Sequence, residues 1–296
     1  MGIDPFASLL QDLVVRETAP GHLSLWRNLA YLSCRLAGGE HFLAEAYSRV
    51  IEFYLAAADV LDEVQDEDQG GALWQKAGTG VAVNAGTGLL ALSLWRLAAL
   101  AETIGDTQPV LAASRILTSM AYRASRGQHL DLVEGSSAGM TFHSYHRIMN
   151  LKSGSLVAAV CAGGAALAGG SRYMTAVLGS CGLHLGIALQ IENDTRSLLI
   201  PEQEKSDWRL GKRTLPILYA FYHEADPRCQ RFCKLFLFHR TDPDVQAEMV
   251  KLLAEVGGFA FAAKVAEMER TMALTRLNRL KTNEWAERLL EVIRPQ

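Results

Sequence analysis

Apolar residues recur at helical spacing along almost the whole chain, and no segment alternates apolar with polar residues as a half-buried strand would. The pattern predicts helices over 23–36, 41–68, 81–104, 109–128, 142–167 and 172–198, with further helices after Leu215. Glycine pairs at Gly38-Gly39, Gly70-Gly71, Gly169-Gly170 and Gly257-Gly258 break the runs. No low-complexity linker and no fixed-period repeat divides the chain. Residues 1–296 are therefore expected to form one all-α domain, a helical bundle of roughly ten helices or more. The segment GIDPF at 2–6 reads as a cloning remnant.

With 49% hydrophobic and 21% charged residues, the chain can bury a large core. Its net charge of −3 offers no basic face, so nucleic acid is not expected as a partner. Five scattered cysteines, an odd number, suit a reducing, cytoplasmic setting; Cys229 and Cys233, one turn apart, read as buried thiols. No basic region followed by an apolar core marks a signal peptide. The longest apolar window, 155–170, is short and rich in Gly and Ala, so no transmembrane segment is expected. Its small residues indicate close helix packing instead.

Two polar stations interrupt this apolar pattern. The first, DVLDEVQDED (59–68), follows directly on FYLAAA. Asp59, Asp62 and Asp66 are three and four residues apart, which on a helix places three carboxylates on one face. Such a cluster repels itself unless a hard cation sits among the oxygens, and Mg²⁺ is the usual choice. A solvated helix end is the competing reading. The second station, GIALQIENDTRSL (186–198), sets Gln190, Asn193, Asp194 and Ser197 on one face, again as oxygen ligands. Facing each other, the two would make a cradle for a diphosphate. Glu202, beyond Pro201, is not placed in that cradle.

Cations accompany the acids. Lys205, Arg209, Lys212 and Arg213 lie within nine residues of SDWRLGKRTLP and its flank, and suit phosphate oxygens. Pro216 is expected to end or kink a helix. Lys152, in LKSGSL, either joins the site or snorkels beside Leu151 and Leu156. Gln128 and Asp131 share a turn. His143 and His146 have ligand-like spacing and read as structural or surface histidines.

DEVQDED, GQHLDL, the stretch from Tyr145 through KSGSL, GIALQIEND and SDWRLGKRTLP occur in the order found in trans-isoprenyl diphosphate synthases, and the chain resembles that family from Gly38 to Ala220. The resemblance implies an all-α isoprenoid-synthase bundle around a central apolar cavity, Mg²⁺ as cofactor, an allylic isoprenyl diphosphate as substrate, and a homodimer. It implies that Asp62, Glu63 and Asp66 bind metal on one side, and Asn193, Asp194 and Ser197 on the other. Lys152, Gln128, Lys212 and Arg213 would then hold the diphosphate, with Asp62, Asp66, Lys152 and Asp194 serving ionisation. Family members block the growing tail four and five residues before the first aspartate. Those positions are Ala58 and Ala57 here, which either moves the expected pocket floor to Tyr54 and favours a donor of farnesyl length or longer, or only lets helices pack closely.

Two departures carry information. GGEHFLAEA was aligned with the basic motif that holds isopentenyl diphosphate in chain-elongating members, and it has no cation before Arg49. DQGGALWQK, after the first aspartates, has no arginine. Both argue against elongation, since a second diphosphate needs cations. DVLDEVQDEDQGGALWQK, GGEH and LKSGSL are most similar to the ComQ-type isoprenyltransferases, which implies transfer to a tryptophan of a small pheromone precursor peptide in quorum sensing. NDTRS resembles the Asn/Ser metal motif of class I terpene cyclases, which leaves a cyclase as the alternative. A non-catalytic subunit of a heteromeric prenyl synthase is a third reading.

Overall fold

The computed structural model describes residues 4–17, 23–67, 72–199, 207–281 and 283–294, and all regular structure among them is helical. Gly70-Gly71, Glu202 and Lys205 lie outside the described residues. The order is α1 (Pro5–Glu17), α2 (Leu23–Leu36), α3 (His41–Gln65), α4 (Leu73–Ala77), α5 (Thr79–Ile104) and α6 (Thr107–Glu134). Then come α7 (Phe142–Met149), a π turn (Asn150–Gly154), α8 (Ser155–Leu167) and α9 (Arg172–Leu199). The short α10 (Asp207–Leu210) and α11 (Leu215–Tyr222) lead to α12 (Pro227–His239), α13 (Pro243–Val256), α14 (Gly258–Leu277) and α15 (Glu284–Ile293).

Local chemistry sets these boundaries. The Asp106 carboxylate accepts from the Gln108 N–H at 2.9 Å and starts α6. Thr141 and Ser144 form a reciprocal capping box at α7. Gly105, at φ 71°, closes α5 in the left-handed region that glycine tolerates. Pro216, expected to end or kink a helix, instead opens α11, because a first-turn residue has no N–H bond to lose. Pro5 and Phe6 are not idle: they begin α1, and a Cβ on Gly88 of α5 would lie 2.7 Å from the Phe6 ring.

The bundle is built around α8, which is buried along nearly its entire length and packs against α2, α6 and α9. Its Gly and Ala residues let neighbouring backbones approach. A Cβ at Gly182 of α9 would lie 2.5 Å from the Val157 carbonyl oxygen, and one at Gly186 would lie 2.6 Å from that of Ser153. The Tyr47 hydroxyl of α3 reaches across to the carbonyl oxygens of Ala159 and Val160 at 3.1 and 3.0 Å. All five cysteines are buried and unbridged.

The expectation that no segment is long and apolar enough to cross a membrane does not hold. Thr79–Ile104, Phe142–Leu167 and Arg172–Leu199 all qualify by length and composition. The 155–170 window is the C-terminal part of a helix that runs upstream through the π turn into α7. In Phe142–Leu167, 78% of the most apolar window is buried inside the bundle, so core packing accounts for that apolarity.

Replacing Gly182 by Ala gains about 1 kcal/mol of helix propensity but drives a methyl into α8 backbone, which costs about 1–3 kcal/mol. Because the obstacle is backbone, the clash is expected to win. The urea midpoint should fall at unchanged slope; a raised midpoint would show that α8 and α9 can separate cheaply.

Candidate active site

The C-terminal ends of α3, α6 and α9 meet at one end of the bundle, and the 207–214 segment closes over them. Between them lies a cavity of about 60 Å³ lined by five aspartates: Asp62 and Asp66 of α3, Asp131 of α6, Asp194 of α9, and Asp207. Lys152, Lys212 and Arg213 are the cations in its wall. Gln190, Asn193, Ser197, Thr214 and Tyr145 add polar groups, while Met140, Met149 and Leu210 supply apolar surface.

The π turn presents Lys152. A segment this wide needs room on both sides, and glycine provides it: a Cβ on Gly127 of α6 would lie 2.3 Å from the Lys152 nitrogen. The ammonium of Lys152 sits 2.9 Å from Asp62, 3.4 Å from Asp131 and 3.9 Å from Asp66. Lys212 sits 2.7 Å from Asp66 and 3.1 Å from Asp131. Burial opposes the charge on each lysine, yet Asp62 and Asp131 raise the pKa of Lys152, and Asp131 and Asp66 that of Lys212. Both are charged ammonium groups at neutral pH. Gln128, itself buried, donates from Nε2 to Asp66 at 3.2 Å, while its Oε1 has no hydrogen-bond partner. Arg209 donates to the main-chain oxygens of Glu67 and Asp66 at 2.9 and 3.4 Å, satisfying carbonyls at the end of α3.

Across the cavity, both Asp194 oxygens are engaged. Tyr145 donates its hydroxyl to one at 2.6 Å, and Gln190 donates its amide to the other at 2.7 Å. Ser153 of the π turn bonds Gln190, and Ser197 bonds Asp207. Burial first, then the neighbouring Asp207, pushes Asp194 up to about 7 against the pull of these bonds. Asp207 is raised as well, by burial against the pull of Lys212 and Ser197.

The expected residues do not all converge. Asp62, Asp66, Lys152, Asn193, Asp194, Ser197, Lys212 and Arg213 line the cavity, and Gln128 reaches it through Asp66. Glu63 does not, because consecutive residues on a helix point about 100° apart and Asp62 and Asp66 take the inner face. Asp59 is exposed, one turn earlier. This cavity, at one end of the bundle, has a predominantly polar wall. Tyr54 is packed in the core, its hydroxyl bonded to the Leu117 carbonyl oxygen at 3.2 Å. Ala57 is buried with Ala82, Ala85 and Leu89 of α5, and Ala58 is half-buried. None of the three lines the cavity. His146 bonds Glu269 and does not line the cavity, as its reading as a structural or surface histidine expects.

GGEHFLAEA requires a larger correction. It begins α3, whereas Asp62 and Asp66 end it, and 22 helical residues span about 33 Å. No side chain near Glu40 can reach a diphosphate held at Asp62, so the absence of cations there says nothing about this site. Asp207, by contrast, was overlooked. In SDWRLGK the cations stand out, and the acid among them is the signal for Asp207. For Tyr145 the sequence carries no signal beyond its place ahead of KSGSL.

These residues fit Mg²⁺ in kind. The ligands are hard oxygens, carboxylates outnumber cations five to three, and a buried amide oxygen on Gln128 is unsatisfied. As placed, no three acidic, histidine or cysteine side chains among the described residues enclose one point, since Lys152 and Lys212 stand between the aspartates. Asp62 and Asp66 would hold the ion on one side; Asn193, Asp194 and Ser197 would hold it on the other.

A pH dependence follows. With Asp194 at about 7 folded against 3.8 unfolded, the folded state binds the proton better in that window, so this group makes stability fall as pH rises through it. Thermal unfolding of metal-free protein should come at lower temperature at about pH 8 than at about pH 5, and added Mg²⁺ should help more at the higher pH. Asp194→Asn should flatten the slope; an unchanged slope would locate the proton elsewhere.

Comparison with known proteins gives the family and the fold. The polyprenyl synthetase family model matches residues 23–253. A short chain isoprenyl diphosphate synthase of Methanothermobacter thermautotrophicus is 26% identical over 277 residues, covering 88% of this chain and 82% of that protein. The tryptophan prenyltransferase ComQ of Bacillus spizizenii is 28% identical over 233 residues, covering 77% and 78%. Among solved structures, a geranylgeranyl pyrophosphate synthase superposes with a TM-score of 0.85 at 17% identity, covering 99% of this chain and 93% of that one. A polyprenyl synthase of Caulobacter crescentus, complexed with calcium and isoprenyl diphosphate, gives 0.79 at 23% identity, covering 97% and 93%. The fold is the all-α isoprenoid-synthase fold, and the chain belongs to the polyprenyl synthetase family as a prenyltransferase acting on allylic diphosphates.

Proposed function

We propose that the chain transfers an isoprenyl group from one allylic diphosphate to a tryptophan of a small precursor peptide, with Mg²⁺ as cofactor. The observation that carries this reading is the cation inventory of the cavity. Among the described residues that line the cavity, Lys152, Lys212 and Arg213 are the only cations, and their charge matches a single diphosphate. An acceptor without phosphate is consistent with that, and an indole is one. The tryptophan prenyltransferases among the relatives point the same way.

As the allylic C–O bond breaks, its electron pair leaves with the diphosphate. Lys152 and Lys212, desolvated and preorganised by the aspartates, meet the charge that develops on the leaving oxygens. The Arg213 guanidinium, held 4.1 Å over the Phe221 ring, adds a fixed cation. Mg²⁺, when bound, supplies Lewis-acid withdrawal of electron density from the diphosphate. Met140, Met149 and the Tyr145 ring keep water from the allylic cation until the indole carbon attacks, and the proton that the prenylated indole then sheds leaves with the released diphosphate. Asn193 and Ser197 in the cavity wall favour the second reading, a terpene cyclase that needs no acceptor.

Purified protein with Mg²⁺ and geranyl, farnesyl or geranylgeranyl diphosphate should release diphosphate efficiently only once a tryptophan-containing peptide is present. The peptide should gain the mass of the prenyl group. Abundant cyclic hydrocarbon without peptide would establish the cyclase instead. Asp62→Ala and Lys212→Ala should each lower kcat on the order of 100-fold. Gly127→Ala should do comparable damage without touching any ionisable group, by displacing the Lys152 backbone. Unimpaired turnover in any of the three would remove that residue from the scheme.

A further inference from the structure

Behind the cavity, a second polar cluster ties three helices together. Glu269 of α14 bonds His146 of α7 through one oxygen at 3.0 Å and His184 of α9 through the other at 2.7 Å. The carboxylate is 14% exposed, His184 18% and His146 52%, so the pair with His184 is shielded while His146 faces water. Tyr145, the neighbour of His146, holds one of the two Asp194 oxygens. α7 continues without a break into the π turn that presents Lys152. The rotation of α7 about its axis therefore bears on both sides of the cavity.

We propose that Glu269 is a positioning residue: by joining His146 to His184 it fixes α7 against α9 and so sets the Tyr145–Asp194 contact, and it loosens its hold when His146 loses its proton. Of the two histidines, His146 is the one that water reaches. Glu269 is the ionisable group that acts on it, and raises its pKa through their hydrogen bond. Glu269 is driven down to about 2 by the two histidines despite its burial. On α7 itself His143 and Arg147 are exposed. Arg270, next on α14, is held by Glu192 of α9 at 2.8 and 2.6 Å, and Lys152 of the π turn by Asp62. Among the described residues, α6 and α11 bring no carboxylate within ion-pair distance of His146. With a folded pKa above the unfolded 6.5, the clasp contributes fully below that value and is lost as pH rises through the raised one.

The inference rests on the prenyl-transfer reading of the cavity, and two measurements separate the two. Diphosphate release, as variant over wild type, is followed from about pH 6 to about pH 9. Glu269→Gln and His146→Gln should start about threefold low and converge on wild type at high pH. His146→Arg, a fixed cation, should exceed wild type about threefold at high pH only. Ratios that stay flat with pH would reduce the clasp to a structural contact and overturn the proposal. Independently of turnover, a double-mutant cycle between His146→Gln and Tyr145→Phe in thermal unfolding should show coupling at about pH 6 that vanishes at about pH 9. Absent coupling overturns the proposal. Coupling without diphosphate release from any donor would uphold it while refuting the prenyl-transfer reading.

Discussion

Mutual repulsion among five carboxylates in one small cavity governs this structure. Three of the helices that deliver them do so near their C-terminal ends, where the aligned peptide dipoles already place partial negative charge. Nothing about that arrangement is self-stabilising. It persists because Lys152 and Lys212 each bridge more than one aspartate, and because Arg209 attends the carbonyls at the end of α3. On the far side no lysine among the described residues reaches Asp194, and the strain appears as an acid that holds its proton to about 7. The same surplus of oxygen suits the site to hard cations and polyanions together.

Bringing those helix ends together requires the helices to pack more closely than ordinary side chains permit. Gly127, Gly182 and Gly186 allow this, each facing backbone of the π turn or of α8. Lys152 is thus positioned by main-chain contact, which is stiffer than contact between flexible side chains. The apolar core and the polar site are one construction: the glycines that let α8 sit at the centre also decide where the ammonium stands.

Much of this was legible in the sequence. The bounds of α2 match the apolar pattern at both ends, and the two polar stations stood out because a helix repeats every 3.6 residues. Asp62 with Asp66, and Asn193 with Asp194 and Ser197, share faces for that reason alone. What the pattern could not supply was distance along the fold. GGEH and DEVQDED lie within one helix, and only its length reveals that they occupy opposite ends of the bundle. Asp207 was hidden by its basic neighbours. Ala57 and Tyr54 looked like a pocket floor because their small or large size is visible in sequence, while their partners in α5 and α6 are not. The clasp at Glu269 joins residues 123 and 85 positions apart, beyond the reach of any local pattern.

The π turn at Asn150–Gly154 has a consequence for how this chain can vary. A π turn amounts to one extra residue carried within a continuous helix. Losing any one residue there would restore an unbroken α-helix from α7 to α8, and everything downstream would rotate by about 100°. Gly163 and Gly164, which now admit the Tyr47 ring and the α2 backbone, would be turned away from both. The segment should therefore accept exchanges of residue type far more readily than changes of length: one deletion would unseat the central helix of the fold along with the lysine it carries.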